Sequence, residues 1–140
     1  MPTSRIKYLG DLRTSALHLQ SGTEIFTDAP IDNNGKGEAF SPTDLVATAL
    51  GSCMMTIMGI SARNHAINLV NSSIEITKIM TAELPRRIAK IIVNLSMHTD
   101  SELTETDKMK LVRAAHTCPV ALSLREDIVQ EINFDWHFGV

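Results

Sequence analysis

The stretch from Leu45 to about His65 constrains this chain more than any other, because it is apolar nearly all the way round a helix. A surface helix carries one apolar stripe and one polar face, whereas a helix apolar on every side is buried. Ser41-Pro42-Thr43-Asp44 supplies its start. Ser41 fits the N-cap, Pro42 the first turn, and Asp44 the third position, facing the positive end of the helix dipole. Ala47, Gly51, Met55 and Gly59 fall four apart, a row along which another helix can approach closely. A chain of 140 residues has little mass to surround such a helix, so the pattern predicts a dimer with this helix at its centre. The Thr, Ser and Gly within the stretch argue against a membrane span, and no membrane contact is expected.

The rest of the chain reads as strands and short helices. Residues 5–9, 12–19 and 23–27 form a meander, with turns at Gly10-Asp11 and Ser21-Gly22. Residues 28–37 form a loop punctuated by Pro30, Asn34-Gly35 and Gly37. Asn71 to Ala82 and Arg86 to His98 are two long strands joined by Glu83-Leu84-Pro85. Thr104 to Asp107 opens a second helix with a capping-box pattern that runs to about Thr117. Cys118-Pro119 starts a short third helix, and Ile128 to Phe138 ends the chain as a strand. This order predicts an α+β fold with a largely antiparallel sheet, in a single domain spanning 1–140.

Composition removes several function classes. Apolar residues make up 44% and charged residues 21%, so the chain is globular and not disordered. The net charge of −3, with no basic block, leaves no electrostatic footprint for nucleic acid. His18, His65, His98, His116 and His137 have no ligand spacing with one another or with Cys, so no metal site is expected. Met1 to Arg5 opens directly into strand-like sequence, which predicts no signal peptide. With two cysteines, that points to the cytoplasm and to thiols that are reactive or simply buried.

The thiols differ in setting. Cys53 lies about three turns into the apolar helix, beyond the reach of its N-terminal dipole. Burial alone would leave it inert, so it needs a cation brought by folding, unless the helix breaks at Gly51-Ser52 and gives it a fresh N-terminus. Cys118 stands at a helix start, where free N–H groups lower a thiol's pKa. Local helix chemistry therefore favours Cys118 as the more acidic thiol. Met54, Met55 and Met58 read as core or pocket lining.

The run Ser41-Pro42-Thr43-Asp44-Leu45 to Gly51-Ser52-Cys53, followed by His116-Thr117-Cys118-Pro119-Val120, resembles the OsmC/Ohr family. Asp28-Ala29-Pro30 and Gly35-Lys36-Gly37 add to the likeness, which covers nearly the whole chain. The resemblance implies an intertwined homodimer whose antiparallel sheets wrap two central helices. It implies thiol-dependent reduction of hydroperoxides, preferably organic ones. The Cys53 thiolate would attack the peroxide, and Cys118 would resolve the sulfenic acid as a disulfide. An external dithiol, possibly of lipoyl type, would restore both thiols, with no bound cofactor. An Arg held by a Glu stabilises the family's thiolate. Arg13 is the candidate here, with Lys36 as the alternative cation. The family Glu corresponds to Thr43, which carries no charge, so the sequence departs from the family there. The nearest carboxylates are Asp44, pointing about 100° away round the helix, and Glu38 in the loop. The competing readings are a non-enzymatic binder of a small hydrophobic ligand and a redox sensor.

Overall fold

The computed structural model describes residues 1–139. Two compact units emerge, Met1–Val46 and Ala47–Val140.

In the first unit, β1 (Ser4–Gly10), β2 (Arg13–His18) and β3 (Glu24–Asp28) form an antiparallel sheet in the order β1-β2-β3. The first turn uses positive φ at Gly10, Asp11 and Leu12, so it extends one residue beyond the expected Gly10-Asp11. Register places Ile6, Ala16 and Ile25 side by side on one face. Ile6 is 66% exposed and Ile25 46% exposed. Buried residues in these strands are few: Ser15, Thr27 and Asp28.

The loop after β3 folds back on itself. The Gly35 N–H donates to the Pro30 carbonyl and the Gly37 N–H to that of Ala29. A Cβ at Gly35 would lie 1.7 Å from the Ala29 carbonyl oxygen, so glycine is required there. The unit ends at Val46, inside the first turns of α1 (Pro42–Asn64). The helix start is a reciprocal box: the Asp44 N–H donates to Ser41 Oγ at 3.0 Å, and the Ser41 N–H to Asp44 Oδ2 at 3.0 Å.

In the second unit, β4 (Ser73–Met80), β5 (Ile88–Thr99) and β6 (Val129–Phe138) form a sheet in the order β4-β5-β6. β4 and β5 are antiparallel, but β5 and β6 run parallel, which departs from the largely antiparallel expectation in this sheet. The intervening segment explains it. α2 (Glu105–His116) and α3 (Pro119–Ser123) separate β5 from β6, and such a crossover returns the chain to the strand's starting end. Thr104 caps α2 by accepting from the Asp107 N–H, as its sequence predicts.

The core of this unit gathers Leu50, Met54 and Met58 from α1, Ile91, Val93, Leu95 and Met97 from β5, and Leu111 and Ala115 from α2. Each fully buried Leu, Ile or Met side chain contributes about 1.5–3 kcal/mol relative to exposure. Gly51 is buried against β4, where an added Cβ would meet Ile76 and Ile74. The small-residue row thus receives a strand at that point instead of a helix.

Burial of α1 is one-sided. Ala47, Leu50, Gly51, Met54, Met58 and Ala62 are buried, while Val46 and Ile60 stay exposed. A single chain lacks the layers to cover every side of this helix. By length and composition alone α1 is apolar enough to cross a membrane, so its Thr, Ser and Gly do not lower it as far as expected. The core helix of a soluble protein meets the same criterion.

Candidate functional site

The second unit brings the cysteines together. Cys53 is half-buried on α1, one residue before core residue Met54. Cys118 is fully buried at the junction of α2 and α3. Its N–H donates to the Ala115 carbonyl, and its sulfur accepts from the Ala121 N–H at 3.3 Å. Pro119 follows in the first turn of α3. The Cys53 thiol is close enough to act on Cys118 by hydrogen bonding and by charge.

These contacts reverse the expected acidity of Cys118. Burial pushes its thiol above the ordinary value, and Cys53 pushes it further. The N–H groups of Ala121 and Val120 pull it down, as a helix start should, but they do not prevail. Desolvation acts on the whole charged sulfur, whereas a five-residue helix offers little dipole. Packing therefore makes the Cys118 thiol less acidic than a free one.

The first unit holds the candidate cation. Arg13 opens β2 and sits directly opposite Asp28, the last residue of β3. Arg13 Nε donates to Asp28 Oδ1 at 2.7 Å and Nη2 to Oδ2 at 2.8 Å. Nη2 also donates to Glu38 Oε2 at 3.0 Å. The Glu38 N–H completes the cluster by donating to Asp28 Oδ2 at 3.1 Å. Asp28 is 1% exposed, whereas the Glu38 side chain is 65% exposed. The guanidinium holds the Asp28 carboxyl below the usual range, against the upward push of desolvation. In return, hydrogen bonding and charge from Asp28 raise Arg13 well above its ordinary value. Lys36 approaches Asp11 at 3.7 Å, with both side chains exposed.

Among the carboxylates considered from sequence, Glu38 reaches Arg13, while Asp44 closes the cap with Ser41. Asp28 is a partner that sequence reasoning missed. The expected turn at Ser21-Gly22 would set Arg13 against residue 30; the hairpin is centred one residue earlier, on Gln20-Ser21, which brings Asp28 opposite Arg13. His116 stands in the last turn of α2 and meets Phe134 edge-on at 6.5 Å. Met54 and Met58 are core. Met55 lines a cleft of about 390 Å³ with Gly51, Ser52, Thr56, Ile74 and Ile76.

Comparison with known proteins follows the same lines. The model of the family described as OsmC-like protein matches residues 35–133. A search of curated proteins finds no match. A crystal structure from Psychrobacter arcticus 273-4 is 50% identical and superposes with a TM-score of 0.90, covering 96% of each chain. It is described, provisionally, as an osmotic stress induced and detoxification response protein. The organic hydroperoxide resistance protein OsmC from Legionella pneumophila shares the fold at 20% identity and a TM-score of 0.70, covering 96% of this chain and 98% of its own. A Vibrio cholerae structure, provisionally described as an organic hydroperoxide resistance protein and carrying captopril in one active site, does so at 19% identity and a TM-score of 0.69, covering 96% of this chain and 92% of its own. With a family model matching residues 35–133 and a 50% identical relative of the same fold over 96% of the chain, this chain belongs to the OsmC-like protein family.

Proposed function

We propose that this protein is a thiol-dependent peroxidase that reduces hydroperoxides, organic ones preferentially. One observation carries the reading: Cys53 and Cys118, 65 residues apart in sequence, are neighbours in one unit, with the Cys118 thiol pushed up by burial. The Cys53 thiolate attacks the terminal peroxide oxygen, the O–O bond breaks, and the alkoxide leaves as alcohol after taking a proton. Cys53 becomes a sulfenic acid, oxidised by two electrons. Cys118 then attacks that sulfur. Its proton and the sulfenic hydroxyl leave as water, and a disulfide remains. An external dithiol of lipoyl type restores both thiols by exchange. Arg13 is the cation that favours the Cys53 thiolate. No metal, haem or flavin takes part, and no nucleic acid or membrane is a partner.

The working unit under this reading is a cytoplasmic homodimer. Exposed Ile6 and Ile25, flanking half-buried Ala16, and the uncovered apolar residues of α1 support a second copy as their cover. A second reading has one observation of its own. The cleft beside Met55, Ile74 and Ile76 has the size of a small-molecule site, with these apolar side chains set among Ser and Thr hydroxyls, which suits a binder of small, largely hydrophobic ligands.

Stopped-flow reaction of the reduced protein with tert-butyl hydroperoxide and hydrogen peroxide tests the proposal. Wild type loses both thiols quickly, Cys53→Ser does not react, and Cys118→Ser stops at the sulfenic acid. A wild type no faster than free cysteine removes the peroxidase and leaves the binder.

A further inference from the structure

A guanidinium that must present charge to a reacting atom has to be held in one orientation. Arg13 is held by an unusual set of groups for so small a sheet. Asp28 grips the Nε–Nη2 edge with both oxygens, a planar fork-to-fork pairing that a lysine cannot reproduce. That carboxylate is itself fixed. It is almost wholly buried, and its Oδ2 also receives the Glu38 N–H, so the loop end that carries Glu38 is tied to it. Glu38 then adds a second carboxylate on Nη2 from the solvent side. Among the described residues Nη1 has no hydrogen-bond partner, which leaves one amino group to meet an anion. The carboxylate at the helix start does other work, because Asp44 receives the Ser41 N–H.

We propose that Asp28 is the positioning residue of Arg13, with Glu38 as an accessory, so that a buried strand-end carboxylate orients the guanidinium. The inference deepens the peroxidase reading and rests on it for the role of Arg13. Asp28 sets orientation, and Arg13 supplies charge. Glu38 is exposed and makes a single hydrogen bond to the guanidinium, so its contribution is the smaller one.

The test compares Arg13→Ala, Arg13→Lys, Asp28→Asn and Glu38→Gln by stopped-flow reaction with tert-butyl hydroperoxide across pH, with thermal melts to establish folding. Arg13→Lys keeps the charge and loses the fork. Misplacing a group at a reacting centre costs roughly ten- to a hundredfold in rate. The expected result is a loss of that size in Arg13→Lys and Asp28→Asn. Their pH–rate profiles move to higher pH, and Glu38→Gln stays within about threefold of wild type. A slow Arg13→Ala beside wild-type-like Arg13→Lys and Asp28→Asn overturns this inference and leaves the peroxidase reading standing. An Arg13→Ala as fast as wild type overturns both the role of Arg13 and this inference. If Asp28→Asn does not fold, Arg13→Lys decides alone. A merely structural salt bridge would lower the melting temperature without moving the pH–rate profile, and that result also overturns the inference.

Discussion

Cys118 is held above the ordinary thiol value by its own burial first and by the neighbouring Cys53 second, although two backbone N–H groups act to lower it. Oxidation of Cys53 removes the second influence and leaves the first. Disulfide closure is therefore expected to speed up with pH, roughly tenfold per unit through the neutral and mildly alkaline range, because the reacting species is the thiolate. Mixing pre-oxidised protein to different pH values and following thiol loss checks this. A closure rate already flat by neutral pH would mean that Cys118 is acidic after all.

Asp28 makes acid stability depend on one carboxylate. Its folded pKa is lowered, chiefly by the hydrogen bond from Arg13. Its contribution is therefore present above the unfolded carboxyl value and is lost as pH falls through the folded value. Urea melts of wild type and Asp28→Asn should differ at neutral pH and converge in strong acid. A constant gap across the acid range would assign the loss to something other than this ionisation.

Gly35 and Gly51 offer a paired test of close packing. A Cβ at Gly35 meets a backbone carbonyl, which cannot move without opening the loop. A Cβ at Gly51 meets Ile76 Cδ1 at 2.7 Å, the far end of a side chain with other rotamers. Gly35→Ala should cost about 1–3 kcal/mol or more, as overpacking does. Gly51→Ala should cost less, because alanine also favours the helix by about 1 kcal/mol. Denaturant midpoints of the two variants decide, and equal losses would contradict this packing.

The capping box predicts a coupled pair. Ser41→Ala and Asp44→Ala should each lower stability by about 1 kcal/mol. The double variant should lose less than the two together, since each side chain bonds the other's N–H. Simple additivity in a double-mutant cycle would show the two bonds to be independent.

Ile6→Glu tests the homodimer. It places a charge beside Ala16 and exposed Ile25, on the row that the proposed second copy covers. Sedimentation should find wild type as a dimer and the variant as a monomer at the same concentration. An unchanged dimer in Ile6→Glu would move the interface elsewhere.

Local chemistry determined much of this protein from sequence alone. The run after Ser41-Pro42-Thr43-Asp44 was legible as a helix, though the chain buries only one side of it, and the turn residues around it placed the strands, because capping and turn preferences act within a few residues. The order of elements and the pair of thiols were legible for the same reason. The parallel pairing of β5 and β6 was not, because strand direction depends on where a crossover delivers the chain. The acidity of Cys118 was misread because helix-end N–H groups are local, whereas desolvation depends on what packs over the sulfur from distant segments. The partner of Arg13 was not legible: a turn at Ser21-Gly22 sets the register off Asp28, and the burial of Asp28 and the return of Glu38 to the same guanidinium are tertiary facts. Sequence chose the residues able to carry charge and sulfur chemistry, and tertiary structure decided which of them meet and how much water each retains.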